Sequence, residues 1–536
     1  MTSAATVYAA FERTARERPA SAFLHVPASA LPGATLAFEL AYGTALAEVA
    51  ALAERYRARG FGAGHRIALL LENRPELLLH YLALNACGAS IVPLNPDYRR
   101  SELEYVLGHS EAVLVVALPV HAGKFAGFSV PCVALDGAFD PPRAPTAAAA
   151  TTLGAATECA LLYTSGTTGT PKGCLLSNFY CLNLAGHYNS EGGLCTVRQG
   201  AERLITPLPL FHMNALAAST MAMILAGGCV VQLDRFHPKT WWQDVASSGA
   251  TIVHYLGVMP AILLAQPLGR WDRAHRVRFG YGANANPRDH AAFEARFGFP
   301  LIEAWAMTET GGGAVIAASH EPRHVGTRCI GAPRSDLEIR IVDDVEADVA
   351  EGEPGELLAR QAGPDPRRGF FAGYLKDAQA TEHAWRGGWF HTGDAVRRGP
   401  DGMLHFVDRR KNIIRRSGEN IAALEVEAIL AGHPAVGQVA VIAAPDAVRD
   451  EEVMACVVAT AGVPRSRETA ASIQDWSLAR LAYFKAPGYV AFVNELPVTS
   501  TNKVQKARLA DFGADPLAAP DCYDLRERKK RSAALS

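Results

Sequence analysis

The chain has 536 residues, 49% of them hydrophobic, and a formal net charge of −2. This length exceeds a single hydrophobic core, so two or more domains are expected. The near-neutral charge leaves no global basic footprint for nucleic acid. The one dense basic run, Arg526–Arg531, is expected to be a solvated, frayed C-terminal tail.

Ten scattered cysteines form neither a C-x-x-C pair nor a Cys/His cluster at zinc spacing, so we expect reduced, mostly buried thiols. The first residues, M-T-S-A-A-T-V-Y, contain neither a cationic start nor a long apolar core, and no secretion signal is predicted. The longest apolar stretch, residues 215–231, contains Gly227 and Gly228 and is interpreted as a buried helix followed by a strand. We therefore expect no integral membrane segment and a cytoplasmic location.

Apolar strand-like runs alternate with helix-length amphipathic segments through the first four hundred residues. Strand patterns begin at Arg66, Ala89 and Ala112, and a helix pattern covers Pro75–Cys87. This alternation predicts βαβ units and an α/β fold with mainly parallel sheets. Pro/Ala-rich Asp140–Ala150 is interpreted as a connector.

A glycine- and hydroxyl-rich stretch, T-S-G-T-T-G-T-P-K-G at residues 164–173, follows this connector. Glycines let the backbone approach polyphosphate closely, N–H groups and hydroxyls face the anion, and Lys172 supplies positive charge. The spacing fails the P-loop template, because Pro171 stands five residues after Gly166 and Gly173 follows the lysine. Although such clusters are ordinarily surface loops, this composition predicts a nucleotide-binding loop of another kind.

The segment G-Y-G-A-N-A at Gly280–Ala285 meets the dinucleotide pattern G-x-G-x-x-[GA]. A lone match is weak, because a Rossmann unit also opens a helix and has an acid about twenty residues later. Pro287 follows the turn here, and Glu303 is only a loose candidate for that acid.

Farther along, short strands separated by Gly, Pro and Asp near Gly352–Arg368 predict a small antiparallel, barrel-like unit. A domain boundary is predicted at Asp408, which gives domains 1–407 and 408–536. Beyond it, a helix at Ala423–Leu430 and two apolar runs form a compact α+β pattern of domain size.

Tyr163–Gly173 resembles the phosphate-binding signature of the adenylate-forming superfamily, which includes acyl-CoA synthetases, peptide-synthetase adenylation domains and beetle luciferases. Family-like segments recur in the expected order over most of the chain. They are Arg66–Pro96, Pro207–Asn214, Gly280–Asn286, Ala304–Thr310, Gly387–Asp394, Phe406–Ile421 and Leu496–Lys506. The segment Phe406–Asn420 is also similar to the corresponding segment of crotonobetaine/carnitine-CoA ligases. The resemblance implies a large N-terminal domain and a small C-terminal cap that swings about Asp408.

The resemblance assigns the β- and γ-phosphates of ATP to the loop residues Thr164, Ser165, Gly166, Thr167, Thr168, Gly169 and Lys172. Trp305 would stack on adenine, Thr308 would contact the α-phosphate, and Glu309 would bind Mg²⁺, which prefers one or two carboxylates with phosphate oxygens and waters. Ala306 replaces the usual Gly of this motif, so its methyl group predicts a narrower acyl pocket.

By the same resemblance, Gly282 and Ala283 shape the adenine pocket and Asp394 accepts the ribose hydroxyl protons. Arg409 would donate to ribose or phosphate. His212 takes the position of an aromatic or histidine gate beside the acyl carboxylate. It is not expected to act as a base, because the substrate acid is already ionised near neutrality.

Two residues of the C-terminal part complete the predicted site. Lys503 takes the position of the lysine that bridges the carboxylate and the α-phosphate. Asn502 replaces the usual Gly before it, and Lys506 is the competing candidate. Gly418 would let the pantetheine arm of CoA pass without a side-chain clash.

These residues predict an ATP-dependent acyl-CoA synthetase that joins a small or medium carboxylic acid to CoA through an acyl-adenylate, with ATP, Mg²⁺ and CoA. Two alternatives stay open: a stand-alone adenylation enzyme that loads a carrier-protein thiol, and a catalytically silent nucleotide-binding protein. No G-x-S-x-G elbow supports a hydrolase. The identity of the acid and the oligomeric state, a homodimer included, are open.

Overall fold

The structure is a computed structural model. It describes residues 4–31, 34–137, 139–164, 171–285, 287–343, 345–409, 413–497, 506–519 and 521–530. The chain forms two compact units. The first contains Met1–Pro96, Ser110–Leu162 and Gly173–Asp408, and the second contains Asp97–His109, Tyr163–Lys172 and Arg409–Ser536. The domain limits 1–407 and 408–536 remain a prediction.

The strands and helices are numbered in chain order. The strands are β1 (Ala22–Val26), β2 (Phe38–Ala41), β3 (Arg66–Leu70), β4 (Ser90–Pro93), β5 (Leu114–Ala117), β6 (Cys132–Ala134), β7 (Glu158–Thr164), β8 (Lys172–Ser177), β9 (Arg203–Thr206), β10 (Cys229–Gln232), β11 (Ile252–Leu256), β12 (Phe279–Ala283), β13 (Leu301–Trp305), β14 (Ile316–Ala317), β15 (Cys329–Gly331), β16 (Leu337–Val342), β17 (Gly355–Gln361), β18 (Gly373–Tyr374), β19 (Phe390–Arg398), β20 (Leu404–Arg409), β21 (Ile413–Arg416), β22 (Glu419–Ala422), β23 (Val436–Asp446), β24 (Asp450–Ala459), β25 (Tyr489–Phe492) and β26 (Cys522–Asp524). The helices are α1 (Val7–Glu17), α2 (Tyr42–Ala58), α3 (Pro75–Cys87), α4 (Arg100–Ser110), α5 (Pro119–Ala122), α6 (Asn178–Ser190), α7 (Thr220–Ala226), α8 (Trp241–Ser247), α9 (Val258–Leu264), α10 (Pro287–Phe297), α11 (Ala378–Ala384), α12 (Ala423–Leu430), α13 (Arg467–Leu478) and α14 (Ala510–Ala514).

Two mainly parallel sheets dominate the first unit and confirm the α/β class. One has the strand order β14-β13-β12-β11-β9-β10-β1-β2, in which β2 and β14 are antiparallel edge strands. The other has the order β18-β8-β7-β4-β3-β5-β6, and its β3 pairs in parallel with β4 and β5. Strand β3 is almost entirely buried, which is typical of a parallel strand covered on both faces.

Helix α3 has the predicted bounds, and its ends follow from its sequence. Pro75 occupies the first turn, where its missing N–H costs nothing. Gly88 ends the helix in a left-handed conformation with φ 81°, which favours glycine. Strand β3, helix α3 and strand β4 follow one another along the chain, which confirms the predicted βα alternation of this region.

The third sheet of the first unit is antiparallel and has the order β15-β20-β19-β17-β16. Strand β17 lies within Gly352–Arg368, where the sequence predicts a small antiparallel unit. It pairs in antiparallel fashion with β16 and β19. The sheet confirms this prediction.

The apolar stretch 215–231 is buried as predicted. Residues Asn214–Ser219 form a turn of π-helix, which continues into α7 and then β10. Within the described residues, no helix has both the length and the apolar character needed to cross a bilayer. The ten cysteines are free thiols, and all except Cys132 and Cys522 are buried, which confirms that expectation.

The second unit contains a six-stranded sheet with the order β22-β21-β24-β25-β26, in which β23 also pairs with β24. The hairpin of β23 and β24 runs from Val436 opposite Ala459 to Asp446 opposite Asp450. Helix α12 has the predicted bounds and packs on this hairpin with α13. The predicted α+β pattern is confirmed.

The prediction of a frayed basic tail is wrong for the described residues 521–530. Lys529 is fully buried, and its Nζ donates to Glu452 Oε1 and, over 3.2 Å, to the Phe484 carbonyl. Glu452 also accepts a 2.8 Å hydrogen bond from Arg416 Nε. Arg526 pairs with Asp446 over 2.9 Å nearer the surface. A buried carboxylate on β24 therefore attracts the tail into the unit, because buried charges require partners.

Candidate active site

The wall predicted to shape the adenine pocket is built by β11, β12 and β13. Gly282 pairs with Tyr255 of β11, and a Cβ atom at Gly282 would lie 2.2 Å from the Tyr255 carbonyl oxygen. Only glycine fits at this position. Ala283 ends the strand, and Asn284 follows in a left-handed conformation with φ 62°.

Glu303, the loose candidate for a ribose-binding acid, instead supports this turn from within. Its carboxylate accepts hydrogen bonds from the N–H groups of Asn284 and Ala285, over 2.8 and 2.9 Å, and from the Tyr255 hydroxyl over 2.7 Å. Burial raises the pKa of this carboxyl, against the lowering effect of those donors. Because the Glu303 carboxylate is engaged with this turn, it is not placed as the ribose-binding acid of a dinucleotide site.

Two of the residues predicted to bind the nucleotide, Trp305 and Asp394, are joined by a direct hydrogen bond. Trp305 is the last residue of β13, and its indole Nε1 donates to Asp394 Oδ2 over 2.9 Å. Both side chains are buried. Asp394 lies in β19 after Gly393, whose φ of 69° turns the strand, and its N–H donates to the Thr392 hydroxyl. The structure thus brings together side chains that are 89 residues apart.

The loop after β13 holds Thr308 and Glu309. The Tyr180 hydroxyl donates to the Thr308 carbonyl over 2.7 Å, and the Tyr374 hydroxyl donates to Glu309 Oε1 over 3.0 Å. Gly311 takes a left-handed φ of 49°, and a Cβ atom there would lie 2.2 Å from the Tyr180 ring. Glu309 is thereby held as a buried carboxylate a few residues from the Trp305–Asp394 pair.

His212 lies where β9 leads into the π-helix Asn214–Ser219. Its ring is half-buried and 4.7 Å from the Phe211 ring, centroid to centroid. Leu216 N donates to the His212 carbonyl, an α-helical i→i−4 bond that ties His212 to the start of this segment. The π-helix begins two residues after His212, and such turns are rare in proteins but frequent at functional sites.

Several predicted residues lie outside the described part or are described only in part. Thr164 ends β7 and Lys172 begins β8, whereas Ser165, Gly166, Thr167, Thr168 and Gly169 lie outside the described residues, as does Lys503. Arg409 ends β20. Gly418 stands in the turn between β21 and β22 with φ 86°, after Ser417 with φ 51°.

Glu309 can supply the carboxylate that a magnesium–nucleotide complex needs from the protein. Among the described residues, no group of three or more His, Cys, Asp and Glu side chains could enclose a metal ion. Mg²⁺ bound with ATP needs only one or two carboxylates, and Glu309 offers one. When bound, the ion would offset negative charge on the phosphates.

Sequence reasoning missed the side chains that position these ligands. Tyr374 lies on a strand of two residues, and Tyr180 lies on a helix with no amphipathic pattern to single it out. Both act through contacts with residues more than sixty positions away. No local signal in the sequence marks either of them.

The two mainly parallel sheets, the antiparallel sheet and the α+β unit together have the architecture of an adenylate-forming enzyme. The family model described as AMP-binding enzyme matches residues 11–375, and the one described as AMP-binding enzyme C-terminal domain matches residues 425–503. The chain therefore belongs to the AMP-binding enzymes, in their acyl-CoA synthetase branch.

Relatives and a solved structure agree with this assignment. The sulfoacetate–CoA ligase of Cupriavidus necator is 32% identical over 498 residues, which cover 88% of this chain and 92% of that protein. The crotonobetaine/carnitine–CoA ligase of Citrobacter koseri is 29% identical over 492 residues, which cover 88% and 93%. The structure of o-succinylbenzoate CoA synthetase from Bacillus subtilis has a TM-score of 0.80 at 24% identity, covers 94% of this chain and 98% of that chain, and supports the fold. The protein is an AMP-forming acid–CoA ligase, and enzymes of this family use ATP, Mg²⁺ and CoA.

Proposed function

We propose that this ligase activates a small or medium carboxylic acid, with the predicted site residues in the roles given above. In the first step a carboxylate oxygen of the acid attacks the α-phosphorus of ATP, and pyrophosphate leaves. In the second step the CoA thiol loses its proton and attacks the acyl carbon, and AMP leaves. The observation that carries the proposal is the buried Trp305–Asp394 hydrogen bond, with Glu309 in the next loop.

In this proposal the nucleoside is held by β12, β13 and β19. Trp305 would cover the base, and its hydrogen bond would hold the Asp394 carboxylate in position for the ribose hydroxyls. Glu309 would face the metal–phosphate complex, and the Tyr374 hydroxyl would fix its orientation. His212 would border the carboxylate of the acid.

Lys503 remains the proposed lysine for the first step, and the surroundings of Lys506 support that choice. Lys506 Nζ lies 2.6 Å from Glu427 Oε1, and both side chains are mostly buried. Glu427 also accepts a hydrogen bond from Val441 N over 2.7 Å. Lys506 is therefore engaged in the core of the second unit, which makes it a poor candidate for binding substrate.

The proposed limit on acid size has support beyond the Ala306 methyl. Tyr281 lies between the two glycines of the β12 motif, and its buried ring is 4.8 Å from Tyr188 and 5.7 Å from His254. His254 is in turn hydrogen-bonded to Ser219 and Tyr188, over 2.7 and 2.9 Å. In this proposal the acyl chain would lie against these packed aromatic side chains, which would leave little room for a long one.

ATP–pyrophosphate exchange with a panel of acids tests this proposal. The panel contains short, branched, aromatic and trimethylammonium acids and palmitate, and CoA-dependent AMP release is measured afterwards. We expect exchange with a small or medium acid, and a loss of roughly 100-fold in Glu309→Gln. The control Glu382→Gln, at an exposed ion pair with Arg367, should retain full activity. A preference for palmitate would refute the size limit, and exchange by Glu309→Gln at the wild-type rate would refute the role of Glu309.

We also propose that the second step depends on a turn of the chain about Asp408, the last residue of the first unit's segments. Asp408→Pro should leave acyl-AMP formation intact and slow thioester formation. Equal loss of both steps would contradict the hinge.

The proposal further places the enzyme in the cytoplasm, without nucleic acid as a partner. A homodimer is the assembly to test. Light scattering at micromolar concentration separates a dimer from a monomer of 57.2 kDa.

A further inference from the structure

A small cavity of about 200 Å³ opens in the first unit beside the strand that ends in Trp305. The end of α6, the segment after β14 and the segment after β15 line it. Strand β14 pairs with β13, so that Ala317, which lines the cavity, stands opposite Ala304. The cavity therefore borders the candidate active site, and its size suits a few non-hydrogen atoms rather than a whole drug-sized ligand.

Arg334 brings a positive charge to this cavity, and one nitrogen of its guanidinium has no partner among the described residues. Its Nε donates to Asp336 Oδ1 over 3.0 Å, and its Nη2 lies 3.4 Å from His187 Nε2 and 3.5 Å from the Gly312 carbonyl oxygen. Its Nη1 is buried and has no hydrogen-bond partner among the described residues. A buried, charged donor without a hydrogen bond costs free energy, and an anion in the cavity would satisfy Arg334 Nη1.

The remaining polar groups around the cavity are compatible with an anion. Burial, together with the charge of Arg334, lowers the pKa of His187 to about 4, so His187 is neutral at pH 7 and accepts from Arg334. Ser319 and His320 are joined by a 3.0 Å hydrogen bond. Glu191 is the one acidic side chain of the lining; burial raises the pKa of its carboxyl, against the lowering effects of Arg334 and Ser319.

We propose that this cavity binds a second anionic group on the substrate acid, a carboxylate or a sulfonate, through Arg334 Nη1. The acid would then be short and doubly charged, with one carboxylate activated near Ala306 and the other acidic group held by Arg334. This inference rests on the proposed function, because it takes the activated carboxylate to lie beside the Trp305 loop. The Gly312 carbonyl connects the two places, since it lies three residues after Glu309 and contacts the guanidinium.

Matched pairs of acids test the inference in ATP–pyrophosphate exchange. The pairs are propionate with malonate, butyrate with succinate, and acetate with sulfoacetate. In the wild-type enzyme, the doubly charged member of at least one pair should have the lower KM. Arg334→Gln should raise the KM for that member about 10- to 100-fold, as expected for loss of a hydrogen bond to a charged group. The KM values for ATP and for the singly charged member should change by less than about twofold.

The control is Arg340→Gln, which removes an arginine of the same strand-rich segment at an exposed ion pair with Asp348. It should leave every pair unchanged. Arg334→Lys keeps the charge and should retain part of the discrimination, which gives a second variant if Arg334→Gln does not fold. Thermal unfolding of each variant is measured alongside.

The inference is overturned if the wild-type enzyme prefers the singly charged member of every pair. It is also overturned if Arg334→Gln weakens both members of a pair equally while its unfolding temperature is unchanged. A lower KM for malonate or succinate would identify the second anionic group as a carboxylate, whereas a lower KM for sulfoacetate would identify it as a sulfonate. Exchange with single acids only would refute this inference and leave the proposed function intact, whereas no exchange with any acid would refute both.

Discussion

Glu452 holds two cations inside the second unit, and its neutral variant Glu452→Gln gives the sharpest test of that arrangement. The carboxylate is fully buried and accepts from Lys529 Nζ, from Arg416 Nε over 2.8 Å and from the N–H of Val453. Glutamine keeps the shape but leaves Lys529 and Arg416 without a buried counter-charge. Breaking a buried ion pair in this way costs about 3–5 kcal/mol.

The pH dependence of this cost follows from Lys529. Burial lowers the pKa of its ammonium to about 7, well below the value near 10.4 of an unfolded chain. Between these two pH values the unfolded chain binds one more proton, so the free energy of unfolding of the wild-type protein falls as pH falls from 10 towards 7. The cost of Glu452→Gln should be largest at pH 6.5, where Lys529 is charged, and smaller at pH 8.5.

Urea unfolding at both pH values measures the cost, and hydrogen–deuterium exchange of β24 and β25 assigns it to the second unit. Hydrogen–deuterium exchange is needed because the two units need not unfold together, and urea unfolding alone would not show which unit is destabilised. The control is Glu527→Gln, whose side chain is 81% exposed and should change stability by less than about 0.5 kcal/mol. A loss below about 1 kcal/mol at pH 6.5, or an equal loss at both pH values, would refute the reasoning.

The same variant should also affect activity. Arg416, which donates to Glu452, directly precedes the turn that holds Gly418, so in Glu452→Gln we expect CoA-dependent AMP release to slow more than adenylation.

Three further predictions concern the candidate site. Lys503→Ala should slow acyl-AMP formation by roughly 100-fold or more, whereas Lys506→Ala should lower stability and leave the adenylation rate within about threefold; single-turnover formation of acyl-AMP measures both, and the opposite pattern would exchange their roles. Trp305→Phe removes the donor to the buried Asp394 carboxylate and should raise the KM for ATP about tenfold or more; an unchanged KM would show that this hydrogen bond does not hold the nucleotide. Ala306→Gly should shift kcat/KM towards longer acids, and an unchanged acid profile would show that the methyl does not limit the pocket.

The sequence predicted those features whose cause is local. The bounds of α3 and α12 and the burial of residues 215–231 follow from apolar pattern and from proline or glycine at the ends. The resemblance placed Trp305 and Asp394 in one site, and the structure joins them by a hydrogen bond. Their proposed work on a nucleotide remains to be tested.

Features that depend on distant partners could not be predicted. The Tyr374–Glu309 contact joins residues 65 positions apart, and the Lys529–Glu452 pair joins residues 77 apart. A basic tail is ordinarily solvated, because exposed charges interact well with water. Here the buried carboxylate of Glu452 holds Lys529 away from solvent. Glu452 lies 77 residues earlier in the chain, so the sequence near Lys529 does not indicate the contact. The same holds for Arg334, whose neighbours come from α6 and from the loop after β13.

The aromatic wall of Tyr281, Tyr188 and His254 has a consequence for efforts to change which acids the enzyme accepts. In the proposed acyl pocket the Tyr281 ring would have to shrink to admit a bulkier acid, and the same ring belongs to the buried core of the first unit. Tyr281→Ala would therefore exchange a gain in substrate breadth for a void in the core, at a cost of about 3–5 kcal/mol in stability. Laboratory evolution towards larger acids should accumulate compensating substitutions elsewhere in the first unit before it tolerates change at this ring.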